Sequence, residues 1–500
     1  VDRLAEALRS ARRAADSNGA EIIRSDQITR SERELLLQNQ WIEEIIRGWY
    51  LLGRPDIRAG DSSRWYAHFW DFLALYLHHR FGREYCLSAE SSLDVHSELS
   101  SIPHQVIVIV PKGGGKPIEL PYETSAYLYT DLKNLPQERE ERRKLQVMPL
   151  ELALAKVSPT YFKNRPSDAQ IALQLCRSPH DLAGVLLAHR LTRAAGRLVA
   201  AYRSIGEEEF ADTLREELIR FGSRPQESNP FEEERSALPR AGQPHVTRLQ
   251  ALWQEGRLQL FDHFPPPPGL PPDPKTYMDG VDRAYERDAY NSLSIEGYRV
   301  SPELIQRVMS ADWNPDDSLG DSEDRNALAA RGYLEAHQKV ELSLLRVLRG
   351  ENSGLVASED LQNWYHALFS PSLQAGILSP GQLAGYRRHP VYIRNSRHIP
   401  PPHKAVVDCM ETLFGLLADE SEAAVRAVLG HYFFVFIHPY MDGNGRIGRF
   451  LMNLMLASGG YPWTVIQLEN RRQYLEALSQ ADHRRDFLPL ADLIESEMAL

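Results

Sequence analysis

Apolar positions in the first 55 or so residues change period several times. Leu4, Leu8 and Ala11 recur at helical spacing, and Gly19-Ala20-Glu21-Ile22-Ile23 follows them. Thr29 and Glu32 then form a Thr-x-x-Glu box ahead of Leu35-Leu36-Leu37, the signature of a helix start. Trp41-Ile42-Glu43-Glu44-Ile45-Ile46 and Trp49-Tyr50-Leu51-Leu52 read as two strands joined across Arg47-Gly48 by a two-residue hairpin. Helix, helix, helix and hairpin predict a winged helix-turn-helix over residues 1–60. Arg30 and Arg33 would stand on the exposed side of the second capped helix and Arg47 at the wing tip, where DNA phosphates would be met. Glu32, Glu34, Glu43 and Glu44 dilute that charge, so binding of a protein, or packing on a neighbour, stands beside DNA contact.

Farther along, the buried-strand run Gln105-Val106-Ile107-Val108-Ile109-Val110 leads through Gly113-Gly114-Gly115-Lys116 to Ile118-Glu119-Leu120. Pro117 and a strand after the lysine exclude a phosphate-binding P-loop and predict a hairpin turn. Asp181 to Arg220 is helical, with Leu182, Val185, Leu186, His189, Leu198 and Val199 on the apolar stripe and His189 expected as a core or edge histidine. Residues 61–221 therefore read as a small mixed α/β domain. From Phe264 to Pro274 (FPPPPGLPPDP) repeated prolines remove backbone donors and favour an extended chain, so no helix or central strand crosses it. With the polar stretch Gly222 to Gly242 and the amphipathic Val246 to Leu258, a Pro-rich connector spans residues 222–276. Residues 277–500 are helical by periodicity, which makes the chain mainly α.

The length of 500 residues, at roughly 150 per domain, suits about three domains. There are 57 basic and 68 acidic side chains, a net charge of -11, which excludes a basic nucleic-acid coat and restricts any DNA contact to a local patch. Cys86, Cys176 and Cys409 lie far apart without a C-x-x-C pair, which removes zinc ribbons and disulfide frameworks and suits a reducing cytoplasm. Neither a secretion signal nor a run of about 18 uncharged apolar residues is present, so a soluble protein without a membrane partner is expected. The first residue is Val1 rather than Met, and the numbering is expected to begin inside the gene product or after a removed tag.

The chemistry concentrates in His438-Pro439-Tyr440-Met441-Asp442-Gly443-Asn444-Gly445-Arg446-Ile447-Gly448-Arg449. The apolar helix from Ala423 stops at His438 because Pro439 disfavours helical geometry before it. Gly443-Asn444-Gly445 can turn successive amides inward just where a new helix begins, an anion nest with a helix dipole behind it. Asp442 is a hard oxygen ligand suited to Mg²⁺ on phosphates, and Arg446 and Arg449, three apart, can hold phosphate oxygens. His438 is the nearby group able to accept a hydroxyl proton near neutral pH.

This string resembles the Fic family signature H-P-F-x-[DE]-G-N-G-R-x-x-R, with Tyr440 in place of its Phe, and the likeness covers roughly Tyr277 to the C-terminus. It implies an all-helical domain that moves AMP from ATP to a Ser, Thr or Tyr hydroxyl of a protein target or of itself, with pyrophosphate released. Carried over by residue, it implies His438 as general base and Asp442 as the Mg²⁺ ligand. Gly443, Asn444 and Gly445 are implied in the phosphate hole, Arg446 as a phosphate contact and Arg449 as partner of the terminal phosphate. Tyr386 to Ile393 with Asn395 to Pro402 is similar to the family's β-hairpin flap. Arg471, Tyr474 and Leu478 recur at helical spacing; positions like them border the nucleotide in the family, and core packing explains them equally well.

Ser292-Leu293-Ser294-Ile295-Glu296-Gly297 resembles the family's inhibitory pattern [ST]-x-x-x-E-[GN]. The resemblance implies that Glu296 pairs with Arg449 and displaces the terminal phosphate, since an Arg-carboxylate pair competes with an Arg-phosphate pair. At the other end, the winged-helix plan with Trp65-Tyr66-Ala67-His68-Phe69 and Tyr85 to Leu93 is similar to AbiEi-type antitoxins of bacterial toxin-antitoxin systems, which implies a DNA-binding regulatory setting. The readings left open are a regulator whose Fic domain senses nucleotide, a Fic enzyme that removes AMP or uses another donor (UMP, phosphate or phosphocholine), and a homodimer.

Overall fold

The computed structural model describes residues 2–53, 62–231, 243–310, 321–394 and 396–498. The expected boundary at residue 60, part of the connector (232–242) and Asn395 of the expected flap lie outside the described residues. The chain is mainly helical and divides into two compact units, Val1–Thr247 with Tyr392–Ile399, and Arg248–Val391 with Pro400–Leu500.

The first unit opens with α1 (Asp2–Asn18), β1 (Ile22–Arg24), α2 (Arg30–Gln38), β2 (Ile42–Ile46) and β3 (Trp49–Leu52). The capping box forms as the sequence predicts: Thr29 Oγ1 accepts from Glu32 N–H at 3.3 Å and Glu32 Oε2 accepts from Thr29 N–H at 2.8 Å. The hairpin forms as well. The third expected helix does not: Ile22–Arg24 is a strand paired antiparallel to β3, giving the sheet order β1-β3-β2. Strand geometry sends successive side chains to opposite faces, so Ile22 and Ile23 each enter a different apolar core, which a helical turn there would not allow.

Next come α3 (Ser63–Phe81), β4 (Cys86–Leu87), α4 (Ala89–His96), β5 (Gln105–Val110), β6 (Pro117–Leu120) and β7 (Thr124–Thr130), with sheet order β4-β5-β7-β6. β5 and β6 do not pair as the expected hairpin. β7 lies between them, parallel to β5 and antiparallel to β6, and the glycine run carries the chain across it. A Cβ on Gly114 would sit 2.6 Å from Leu128 O, so this crossing needs a residue without one. Trp65, Phe69 and Phe72 of α3 share a core with Val106, Val108 and Leu128 on one sheet face, and Trp65 Nε1 donates to Thr124 Oγ1 at 3.0 Å.

The ribbon β8 (Glu140–Arg142) and β9 (Leu145–Val147) leads to α5 (Leu150–Lys156), α6 (Pro159–Asn164), α7 (Pro166–Leu175), α8 (Pro179–Ala188), α9 (Thr192–Ser204) and α10 (Glu208–Arg220). His189, the C-cap of α8, is exposed at the edge. The segment expected as a hairpin flap forms none among the described residues. Within the first unit, Ile399 N–H donates to Ser100 O at 2.7 Å and an isolated bridge joins Ser101 to His398. Pro390 and Pro400 to Pro402 remove the donors that a ladder would need.

The second unit contains α11 (Pro244–Leu260, whose first residues lie in the first unit), α12 (Pro274–Ile295), α13 (Pro302–Met309), α14 (Asp321–Leu348), α15 (Ser353–Gln374) and α16 (Pro380–Leu383). α17 (Val406–Asp419), α18 (Ala423–Ile437), α19 (Asn444–Ala457), α20 (Arg471–Arg484) and α21 (Leu488–Met498) complete it. The proline run is extended and held along its length: Tyr461 Oη donates to Pro265 O and Gly269 N–H donates to Gly459 O at 2.9 Å. At the centre is α18, apolar on all sides and buried except at Arg426 and Val435, as a helix without a polar stripe must be.

Replacing Thr29 by Ala removes the side-chain half of the box that starts α2. A loss of about 1 kcal/mol is expected, read as faster amide exchange across residues 30–38; unchanged exchange there would contradict this account of α2.

Candidate active site

α18 ends because His438 takes left-handed geometry, φ 51°, directly before Pro439. Such a backbone costs about 1–3 kcal/mol and persists only where its surroundings enforce it. Arg387 does so: its N–H donates to Pro439 O at 2.8 Å, its Nε to His438 O at 2.8 Å and its Nη2 to Ile437 O at 3.3 Å. Burial pushes this guanidinium down to about 10. Sequence reasoning missed the role of Arg387, because 51 residues separate it from the loop that it braces. His438 Nδ1 lies 3.3 Å from Val435 O; a carbonyl can only accept, so Nδ1 is the donor there, which in the neutral ring leaves the lone pair on Nε2.

Tyr440 stacks on Tyr365 with centroids 3.6 Å apart, and its hydroxyl donates to Gln362 Oε1 at 2.9 Å. The ring is packed and the added hydroxyl is satisfied. Asn444 closes the loop reciprocally, its Oδ1 accepting from Tyr440 N–H at 2.9 Å and its Nδ2 donating to Tyr440 O at 2.8 Å. Gly443, φ +81°, is the N-cap of α19 and supplies no side-chain cap. The first amides of α19, at Asn444, Gly445 and Arg446, are therefore without an intrahelical acceptor, at the positive end of a 14-residue helix.

Asp442 is 59% exposed, with Oδ1 accepting from Gly443 N–H at 2.6 Å and 3.4 Å from Arg446 Nη2. Arg446 is only 1% exposed, lies over the rings of Tyr298 and Phe369 at 5.0 and 5.3 Å, and leaves Nε and Nη2 without a hydrogen bond. Asp442 and Arg446 line a cavity of about 750 Å³ with Tyr298, Phe369 and Tyr386; His438 and Arg449 are not among its walls. A second hollow of about 320 Å³ is bounded by Glu296, Tyr298, Arg325 and Asp442. Among the described residues no three His, Cys, Asp or Glu side chains converge as a metal site. A single exposed carboxylate beside an anion site fits Mg²⁺ held chiefly by phosphates and water.

Arg449 is buried and already paired. Nη2 donates to Glu296 Oε1 at 2.8 Å and to Ser292 O at 3.0 Å, and Nε to Ser292 Oγ at 2.9 Å. The carboxylate also sits at the start of α19: a Cβ on Gly445 would be 2.1 Å from Glu296 Oε1. The helix end that presents Glu296 is a Schellman turn. Gly297, φ +88°, donates to Ser294 O at 2.9 Å and Tyr298 N–H to Leu293 O at 3.1 Å, so the Glu-Gly pair ends α12 with the carboxylate facing Arg449. Asn291 Oδ1 accepts from Leu468 N–H at 2.8 Å, and Arg471 Nε donates to Ile295 O at 2.9 Å, fixing that end of α12.

Tyr474 is buried core, its hydroxyl 2.8 Å from His431 Nε2, and burial pushes it up to about 12. His431 is fully buried; desolvation, with Arg449 nearby, holds it down at about 4. In the first unit, Arg30 is exposed with Nε on Glu34 Oε1 at 2.8 Å, Arg33 is half-buried, and Arg47 is exposed at the hairpin turn.

Residues 355–456 match the family model described as Fic/DOC family, so the chain carries a Fic domain there. A protein named Protein adenylyltransferase Fic from Nematostella vectensis is 26% identical over 265 residues, covering 52% of this chain and 56% of that protein. One of the same name from Drosophila mojavensis is 34% identical over 229 residues, covering 43% and 41%. The chain thus spans about half the length of these relatives. A solved fragment of Fic-1 from C. elegans aligns with a TM-score of 0.38 at 18% identity, over 70% of this chain and 94% of that one.

His431 is held below its usual 6.5 in the fold, so its contribution is complete above that value and is lost as pH falls toward 4. The loss amounts to about 3 kcal/mol. Amide exchange in α18 should accelerate between pH 7 and 4.5, after correction for intrinsic rates, more in the wild type than in His431→Gln; parallel profiles would contradict the assignment.

Proposed function

We propose that this chain is an autoinhibited protein adenylyltransferase that uses ATP and Mg²⁺ to modify a Ser, Thr or Tyr hydroxyl on a protein target or on itself. The observation that carries this reading is a histidine one short loop away from the uncapped N-terminus of α19, with a buried arginine farther along that helix. The α19 amides and Arg446 hold phosphate oxygens, and His438 Nε2 takes the proton of the incoming hydroxyl. The hydroxyl oxygen then attacks the α-phosphorus, the bond to the β-phosphate oxygen breaks, and pyrophosphate leaves. Asp442 would hold Mg²⁺, which neutralises charge on the phosphates when bound. Arg449 would take the terminal phosphate once Glu296 releases it.

The exposure of Arg30 and Arg47 supports a DNA-contacting role for the N-terminal region, residues 1–60, as an antitoxin-like regulatory segment in the cytoplasm; the strand in place of the third expected helix and the Arg30–Glu34 pair weaken that role.

Intact mass after incubation with ATP and Mg²⁺ tests the enzymatic reading. Glu296→Gly should gain an adenylyl unit at least about tenfold faster than the wild type, and His438→Ala should gain none. Equal labelling of wild type and Glu296→Gly would remove the brake. A labelled His438→Ala would remove the general base.

A further inference from the structure

The first unit contains a cavity of about 1050 Å³ that shares no residue with the Fic domain. Its floor is a patch on the sheet: Ile107 and Ile109 of β5 are in register with Tyr127 and Tyr129 of β7, and alternate residues of parallel neighbours share one face. Around this apolar and aromatic floor stand four cationic side chains, Lys156, Arg190, Arg193 and Arg197, with Glu90 as the carboxylate. Burial pushes the Glu90 carboxyl up, away from the charged form. Among the described residues none of the four cations forms an ion pair.

Arg197 is the half-buried one among them whose guanidinium is held in place by its surroundings. Its Nη2 donates to Val157 O at 2.9 Å and its guanidinium lies over the Phe162 ring, yet Nε has no hydrogen-bond partner and no carboxylate compensates its burial. A half-buried guanidinium without an anion is costly unless a ligand supplies one. The 13-residue helix α9 begins at the same cavity: its N-cap, Leu191, makes no side-chain cap, and Thr192, Arg193 and Ala194 line the wall. Uncapped amides and the helix dipole add to the same positive field.

We propose that this cavity is a nucleotide site, with the phosphate between Lys156, Arg193, Arg197 and the start of α9 and the base on the face made by Tyr127 and Tyr129. The cationic groups answer a phosphate, and the two tyrosines give a planar base a stacking surface that a simple inorganic anion does not need. The volume, just above the roughly 300–1,000 Å³ common for small-molecule sites, has room for a nucleotide.

Calorimetric titration of the full chain with AMP, ADP and ATP tests this, using Arg449→Ala as background, which removes the terminal-phosphate partner of the Fic domain but leaves its α19 amides and Arg446, so the cavity is read from its own variants. One saturable nucleotide-binding event should weaken at least about tenfold on adding Arg193→Glu or Arg197→Ala. Arg193 is exposed, so Arg193→Glu keeps the fold even if loss of the Val157 contact disturbs Arg197→Ala. Inorganic phosphate should bind at least about tenfold more weakly than AMP. Nucleotide binding indifferent to Arg193→Glu, phosphate binding as tightly as AMP, or saturation by a single-stranded oligonucleotide but by none of the mononucleotides would each overturn the proposal. Failure of the adenylyl-transfer reading leaves it untouched, because the two sites share no residue.

Discussion

A buried guanidinium requires an anion, and at Arg449 that requirement is met by Glu296. Burial opposes the charge on Arg449, and the paired Glu296 carboxylate favours it, leaving the guanidinium raised. Removing one partner of a buried pair costs about 3–5 kcal/mol, because the other charge is left uncompensated. Glu296 can therefore leave only if another anion arrives, and a nucleotide's terminal phosphate has the matching geometry. The carboxylate also lies against Gly445 at the start of α19, so one side chain meets both the guanidinium and the helix end that phosphates would use.

Everything around this contact holds it in register. The Schellman turn presents Glu296, Ser292 grips Arg449 from one helical turn earlier, and Arg471 and Asn291 tie the end of α12 to the α20 side of the unit. Across the loop, Arg387 holds His438 in a backbone conformation that a residue before proline would otherwise avoid. Glu296 and His438 thus both sit at helix ends, each fixed by an arginine far away in sequence.

What could be read from the chain alone was what lies close in sequence. Residues 438 to 449 carry their chemistry in one uninterrupted string, and Ser292 and Glu296 are one helical turn apart on a single helix end. The Thr29 box and the Arg47-Gly48 turn are equally local. Features made by distant partners were not legible. The strand Ile22–Arg24 exists because β3 pairs with it, and β7 separates β5 from β6 although it follows both in sequence. Arg387 looks like one basic residue among several until the fold brings His438 O to it. The cavity in the first unit joins β5, β7, α5 and α9, whose residues have no common motif.

The most direct test of the competition at Arg449 is a structure of the wild-type chain with ATP and Mg²⁺, beside one of a chain in which Glu296 can no longer reach the guanidinium. The account predicts a terminal phosphate turned away from Arg449 while Glu296 remains paired, and seated on Arg449 once the pair is broken. A terminal phosphate bound to Arg449 with the Glu296 contact still intact would contradict it.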